Sequence, residues 1–367
     1  MASAATGEII VAKEEIHGFV IRCLVTAGAE EKYARTFADC LITADYRGHY
    51  SHGVNRLEFY IEELKRGILC GGKGTEPTVT KQNLATALVN GNNLFGPVVG
   101  KFCMELAIQK AKEVGIGMVT ARGSNHFGIA GWYSLMACDQ GLLGMAFTNA
   151  SGAIIPTRSK VRTLGTNPIC MAAPGKNGDS FVLDMATSNV AWGKVELQVR
   201  KGQPLSPGWV LDKDGKPTVE RSEVAGLLPL GGVEETSGYK GYGLSMMVEV
   251  LCSVLAGSPF GPFIRMWRTY ERPSDMAHCF IAVDPNSFED GFSDRLQDLI
   301  DHCRNLETAD DAAGSVMVAG DPERKHMKLC DDLAGIPYHT NQIKNMDDLA
   351  EKLNLEKLKR REVQPNT

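Results

Sequence analysis

The chain has 367 residues, with 39 Lys and Arg against 44 Asp and Glu, and a formal net charge of −5. Its 43% hydrophobic and 23% charged residues are those of a globular protein of one or two domains, which excludes disorder for the bulk of the chain. The mild acidity offers no basic stripe to a nucleic-acid backbone, and no apolar run reaches the roughly 18 residues that a membrane span needs.

The first 70 residues read as helices. Ile16, Phe19, Val20, Cys23 and Leu24 form one apolar stripe, stopped at Gly28. Tyr33, Phe37, Cys40, Leu41 and Ala44 form a second, and Leu57, Tyr60, Ile61 and Leu64 a third, ended by Gly67. From about Thr78, short β-rich runs alternate with helices. Ala87–Val89, Gly117–Thr120, Gly144–Thr148, Ile169–Ala172 and Phe181–Asp184 read as strands, and Val98–Val114, Ala130–Gln140 and Ser188–Val199 as helices. Lys201–Lys216 reads as an exposed loop. Tyr242–Leu255 reads as a helix with Leu244, Met247, Val248, Leu251 and Leu255 on one face. Cys279–Val283 is a strand, Asn286–Arg304 a helix, and a last helix runs from about Met346 to Lys359 with Asn345 as N-cap.

The ends carry no targeting signal. Met1–Ala12 lacks a basic segment followed by an apolar one, and Leu358–Thr367 is polar, without a prenylation or retention motif. Ten cysteines run from Cys23 to Cys330, never as Cys-x-x-Cys. They read as reduced, mostly buried thiols of an intracellular, cytoplasmic protein.

Three dense segments carry the candidate chemistry. In Ser51-His52-Gly53-Val54-Asn55-Arg56, followed by Tyr60, Arg56 and Tyr60 fall on one helix face with His52 at its entrance. A His beside an Arg suits proton transfer next to a carboxylate, which Arg grips with two parallel hydrogen bonds; a capping Ser51 with a solvated Arg is the structural alternative. Gly123-Ser124-Asn125-His126-Phe127-Gly128 follows a strand and precedes a helix, so His126 is either a second acid/base or a backbone-bonded structural His. Gly165-Thr166-Asn167-Pro168 and Asp184-Met185-Ala186-Thr187-Ser188 make a third segment. There Asp184 ends a strand and Thr187 and Ser188 can cap the next helix, which serves either an anionic ligand or capping alone. The Gly-x-Gly-x-x-Gly fingerprint of the usual dinucleotide fold is absent, as is a phosphate-binding Walker loop. No metal-ligand spacing and no Gly-x-Ser-x-Gly elbow occurs, so the expectation is no metal and no hydrolase.

Taken together, these segments resemble the malate/L-lactate dehydrogenase family of NAD(P)-dependent oxidoreductases that lacks the Rossmann fold. Its members include ureidoglycolate and sulfolactate dehydrogenases, diketogulonate reductase and a cyclic ketimine reductase. Asp45-Tyr46-Arg47-Gly48 joins the likeness, as do Tyr239-Lys240-Gly241-Tyr242-Gly243-Leu244, Phe280-Ile281-Ala282-Val283-Asp284-Pro285 and Gly320-Asp321-Pro322-Glu323. The matches run in order over about residues 10 to 355.

The resemblance implies a mixed α/β, sulfolactate dehydrogenase-like fold. Residues 1–75 and 285–367 would form a helical, substrate-side and dimerisation region, and 76–284 the dinucleotide-binding region. It implies hydride transfer between NAD or NADP and C2 of a 2-oxo or 2-hydroxy acid, with malate/oxaloacetate the first guess and lactate/pyruvate the second, in a homodimer. His52 and His126 become the acid/base candidates. Ser51, Arg56, Tyr60 and Asn167 fall at the substrate. Ser151, Asp184, Met185, Ala186, Lys240, Gly241, Gly320, Asp321 and Glu323 fall at the cofactor. Arg158, Lys160 and Arg162 either favour NADP or form a solvated basic loop. A cyclic ketimine reductase and a non-catalytic homodimeric binding protein are the competing readings. The Phe260–Pro273 stretch maps to no motif.

Overall fold

The computed structural model describes residues 8–200 and 202–362. Residues 1–7, 201 and 363–367 lie outside the described residues, and with them part of both termini on which the targeting reading rests. The chain divides into two compact units, one of residues up to Thr75 and from Gly320 onward, the other of Glu76–Ala319.

The first unit opens with β1 (Glu8–Val11), α1 (Lys13–Thr26), α2 (Glu31–Tyr46) and α3 (Leu57–Lys65). The expected stripes are the buried faces: Ile16, Phe19, Val20, Cys23 and Leu24 on α1, and Tyr33, Phe37, Cys40, Leu41 and Ala44 on α2. Each large apolar side chain removed from water in this way contributes about 1.5–3 kcal/mol.

The second unit contains β2 (Thr78–Gln82), β3 (Thr86–Asn90), α4 (Gly96–Val114), β4 (Ile116–Ser124), α5 (Ala130–Cys138), β5 (Leu143–Thr148), β6 (Ile169–Pro174) and β7 (Ser180–Met185). It continues with α6 (Trp192–Arg200), β8 (Val210–Leu211), β9 (Pro217–Thr218), β10 (Gly226–Leu227), α7 (Gly238–Glu249), β11 (Met276–Val283) and α8 (Phe292–Arg304). The main sheet has the order β2-β3-β4-β11-β5-β6-β7, and β8 lies between β10 and β9 in a small second sheet. Among the strands of the main sheet, β3 and β4 alone pair in parallel, with α4 as their crossover. A Rossmann sheet is parallel throughout, so the mostly antiparallel order accounts for the missing glycine fingerprint. β11 sits at the centre, between β4 and β5, and its residues are almost all buried, as two covered faces require.

The chain then returns to the first unit through α9 (Asp321–Asp332), β12 (Ile336–His339), α10 (Thr340–Leu353) and β13 (Arg361–Glu362). β1 pairs antiparallel with both β12 and β13, so a short sheet ties the two chain ends together.

Several local expectations differ from the structure. The second crossover falls at residue 320 instead of 285, because α8 is fastened to the second unit. Ser293 donates to the Pro174 carbonyl at 3.1 Å, and Gln297 and Arg304 donate to the Asp179 carboxylate at 3.0 and 3.1 Å. The Arg304 guanidinium holds that carboxyl well below the usual carboxylate range. α6 begins at Trp192, not Ser188, and the 201–216 loop contains β8. The last helix starts at Thr340, capped by His339, with Asn345 in its interior.

In the 242–255 segment the buried residues are Ser245, Val248, Glu249, Cys252 and Ser253, whereas Met247 and Leu255 are exposed. Two causes act there. The helix passes into a π turn at Val250–Val254, which shifts its phase, and its inward face is built around the polar Glu249.

Candidate active site

In the first unit, α2 and α3 are joined by the segment that holds His52. A single 3₁₀ turn, Val54–Arg56, enters α3. The segment is fastened by its own side chains. Ser51 Oγ and His52 Nδ1 lie 2.9 Å apart, Arg56 Nε donates to the Ser51 carbonyl at 2.6 Å, and Asn55 donates to the Tyr50 carbonyl at 2.9 Å.

From below, the fully buried Asp45 accepts at Oδ2 from the Val54 N–H (3.0 Å) and the Tyr338 hydroxyl (2.8 Å). Burial pushes its carboxyl up to about 7, against the pull of those two donors. A Cβ at position 53 would lie 1.8 Å from Asp45 Oδ1, so only glycine lets the turn come down onto the carboxyl. Tyr50 donates to the Pro337 carbonyl at 2.8 Å and meets His326 Nε2 at 3.1 Å.

Tyr60 is buried edge-on against Phe37, with ring centroids 4.5 Å apart. Burial raises its phenol well above the ordinary value, with the Arg56 charge opposing. At the start of α9, Gly320 is left-handed, Asp321 accepts from Arg324 at 2.6 Å, and Glu323 stands 3.5 Å from His49 Nε2.

In the second unit, β4 runs into the loop that carries His126. Asn125 donates to the Leu94 carbonyl at 2.9 Å and to Asn93 Oδ1 at 3.0 Å, in the segment that enters α4. A Cβ on Gly96, the first residue of α4, would come within 2.2 Å of the His126 carbonyl, so helix and loop meet backbone to backbone. His126 Nδ1 accepts from the Gly128 N–H at 3.3 Å, which leaves the proton of the neutral ring on Nε2. The ring lies against Trp267, 5.4 Å between centroids and tilted by 49°. The segment around Trp267 is braced by the buried Arg265, which donates to the Thr269 carbonyl and, at 2.6 Å, to Ser274 Oγ.

Under the same loop, His278 is buried between Thr148 Oγ1 (2.7 Å from Nδ1) and Ser124 Oγ (2.7 Å from Nε2), with Phe127 stacked on it at 4.8 Å. Thr148 Oγ1 also lies within hydrogen-bond distance of the Asn149 and Ala277 carbonyls, at 2.9 and 3.2 Å. Burial depresses the ring to about 3, so it stays neutral.

The second-unit segments expected at the cofactor, and the Asn167 turn expected at the substrate, are linked to one another by hydrogen bonds and close backbone contacts. The Asn149–Ser151 loop after β5 and the Gly165–Asn167 turn before β6 are joined by Asn167, whose Oδ1 accepts from the Ala150 N–H at 3.0 Å. Asn167 Nδ2 donates to Glu249 Oε1 at 3.0 Å and to the Ser245 carbonyl at 3.1 Å, and Asn149 Nδ2 donates to Glu249 Oε2 at 3.3 Å. Burial raises the Glu249 carboxyl despite these donors. After β7, Thr187 donates to the carbonyls of Thr166 and Asn167, and its own carbonyl accepts from the Leu230 N–H at 2.9 Å. Leu230 in turn abuts Gly241 of α7, where a Cβ would sit 2.3 Å from the Leu230 carbonyl. Ser151, Met185 and Ala186 remain partly accessible in these segments, and Lys240 is exposed on the first turn of α7.

Some expected roles change. Asn167 is fully buried and its amide ties two loops together, so it positions them instead of facing a ligand. Thr187 and Ser188 do not cap a helix, since Ser188 donates to the Val190 carbonyl and α6 starts beyond. The Asp184 carboxylate caps a different helix, accepting from the Gly131 N–H of α5 at 2.7 Å. Arg158 is exposed and paired with Glu234 at 2.9 Å, as a solvated loop would have it. Asp45, Glu249, Trp267 and His278 were not among the site residues read from the sequence. Asp45 lay inside a matched motif, and the other three carried no spacing signal.

Residues 11–347 match the family model described as malate/L-lactate dehydrogenase. A malate dehydrogenase of Pyrococcus abyssi is 38% identical over 356 residues, 95% of this chain and 96% of that one. An L-sulfolactate dehydrogenase of Methanocaldococcus jannaschii is 36% identical over 343 residues, 92% of this chain and 96% of its own. The solved malate dehydrogenase of Pyrococcus horikoshii OT3 superposes with a TM-score of 0.87 at 35% identity, covering 96% of this chain and 97% of that one. With a main sheet that is antiparallel but for one pair and the motif-bearing loops at its ends, the chain belongs to the malate/L-lactate dehydrogenase family of oxidoreductases.

Proposed function

We propose that the chain is a NAD(P)-dependent 2-hydroxyacid dehydrogenase, with malate/oxaloacetate as the leading substrate pair. The observation that carries the reading is the Ser51–Arg56 turn. His52 stands against Ser51 through Nδ1, and Arg56, at the mouth of α3, is fixed through Nε to the Ser51 carbonyl, so that an imidazole and a planar guanidinium, the group that suits a carboxylate, are carried by one turn.

Oxidation at C2 removes a hydride from carbon and a proton from the attached oxygen. The dinucleotide takes the hydride. The chain's own residues bind the acid, turn C2 toward the acceptor and take the hydroxyl proton. In this reading Arg56 binds the substrate carboxylate, and one of His52 and His126 takes the proton while the other hydrogen-bonds the C2 oxygen. The second unit fits a dinucleotide: Ser151, Met185 and Ala186 are partly accessible, the segment after β7 is linked through Thr187 and Leu230 to the first turn of the 12-residue α7, and Lys240 there adds a cation suited to a diphosphate. Gly320, Asp321 and Glu323 are proposed as further cofactor contacts.

The proposed working form is a cytoplasmic homodimer. No helix among the described residues is long and apolar enough to cross a membrane, and all ten cysteines are free thiols. α7 and the turn after it expose Met246, Met247, Val250, Val254 and Leu255, an apolar stripe that a second copy would cover.

Reduced-nucleotide oxidation, followed with a panel of 2-oxo acids and one cyclic ketimine, tests the reading. Turnover of oxaloacetate, pyruvate or another open-chain acid with NADH or NADPH supports it. Turnover of the ketimine alone would replace it.

A further inference from the structure

We infer that Asp45 is a positioning residue for the reaction: its buried carboxyl carries the turn that presents His52 and Arg56. The inference rests on the proposed roles of those two residues.

Four observations meet at this side chain. Asp45 lies on the last turn of α2 and is fully buried. One of its oxygens, Oδ2, receives both available donors, the Val54 N–H at the entry to α3 and the Tyr338 hydroxyl from β12. The other, Oδ1, is buried and has no hydrogen-bond partner among the described residues. Gly53 lies directly against it, so the neighbour of His52 rests on the carboxyl with no side chain between. The height of the turn is thus set by one carboxyl group, and His52 and Arg56 both lie within three positions of that contact.

The surroundings also decide the state of the carboxyl. The groups that face it are the Tyr338 phenol on β12 and the Cys330 thiol on α9, with Tyr50 packed edge-on to Tyr338 and His326 hydrogen-bonded to Tyr50. Among the described residues no Lys, Arg or His donates to it. A carboxylate bonded at one oxygen only, in a dry site without a cation, holds its proton far more tightly than one in water. The expected consequence is a proton that leaves Asp45 near neutrality, where burial places it at about 7. The turn then rests on a neutral acid below that pH and on a carboxylate above it.

Asp45→Ala and Asp45→Asn, each assayed for kcat, KM and nucleotide affinity across pH and checked for folding by thermal melts, test the inference. The alanine variant loses both hydrogen bonds, and kcat falls on the order of 10- to 100-fold because His52 and Arg56 are displaced. Nucleotide affinity, most of whose proposed contacts lie in the second unit, changes far less than kcat. Asparagine mimics the neutral acid: it recovers most of what alanine loses, and its kcat/KM profile lacks the limb near pH 7 that Asp45 contributes. Difference infrared spectra show the protonated-carboxyl stretch in the wild type below that pH and not in Asp45→Asn.

An Asp45→Asn profile superimposable on the wild type's, with no carboxyl band to lose, overturns the inference. His52→Asn separates the two layers. If it is inactive while both Asp45 variants behave as wild type, the proposed function stands and this inference fails. If it retains full turnover, the role proposed for His52 is itself wrong.

Discussion

Asn167 donates to Glu249 at 3.0 Å, and because Asn149 donates to the same carboxyl at 3.3 Å, Glu249 holds both the turn before β6 and the loop after β5. Glu249 therefore braces the loop after β5, proposed to line the cofactor, together with the turn that carries Asn167. Replacing it with alanine takes an acceptor from the Asn149 and Asn167 amides and from the Gly261 N–H and costs about 2–4 kcal/mol. The expected result is a lower melting temperature together with roughly tenfold weaker nucleotide binding. Glu249→Gln keeps one acceptor and lands between alanine and wild type. Fluorescence titration with NADH and NADPH checks this; nucleotide affinity that is unaffected by the alanine variant would show that the loops hold their places without Glu249.

Arg56→Lys tests the carboxylate clamp. Lysine is a point charge and supplies neither the planar fork nor the bond to the Ser51 carbonyl. KM for the 2-oxo acid is expected to rise on the order of 10-fold or more, with nucleotide affinity unaffected. Steady-state kinetics at saturating nucleotide read the split, and an unchanged KM would move the clamp to another residue.

His278 predicts a pH dependence of stability. Its folded pKa, about 3, lies below the ordinary value of 6.5. Between those values the unfolded chain takes up a proton that the folded chain does not. The His278 contribution is therefore fully present above about pH 6.5 and is lost as pH falls, at up to about 1.4 kcal/mol per pH unit. His278→Gln, which cannot titrate, is expected to be less stable at pH 7 and to lose less stability on acidification. Urea melts at several pH values between 4 and 7 check the slope; parallel curves for the two proteins would refute the assignment.

Trp267 stands against His126 on a segment that matched no motif. If His126 faces the substrate, this indole limits what can be attached at C3. Trp267→Ala is expected to raise kcat/KM for bulky 2-oxo acids relative to oxaloacetate by about 10-fold, within the range that a hydrophobic wall can discriminate. Competition between a short and a branched substrate gives the ratio directly, and an unchanged ratio would place the wall elsewhere.

Local pattern was legible in the amino-acid order. The stripes of α1 and α2, the strands β3 to β7 and the His52 and His126 segments all stand where periodicity and motif put them, because a buried face repeats every few residues along one element. The 242–255 helix shows where that reasoning stops. Its inward face is polar and its phase breaks at a π turn, and neither follows from counting apolar residues.

By itself the sequence determined the element types, the absence of a Rossmann glycine loop and the histidines and arginine that carry the proposed chemistry. Only the tertiary structure decided what holds them. Asp45 meets Tyr338 across 293 positions, His278 meets Ser124 across 154 and Glu249 meets Asn149 across 100. A buried polar group is stable only where the fold delivers its partner, and no local spacing encodes a partner that arrives from another part of the chain.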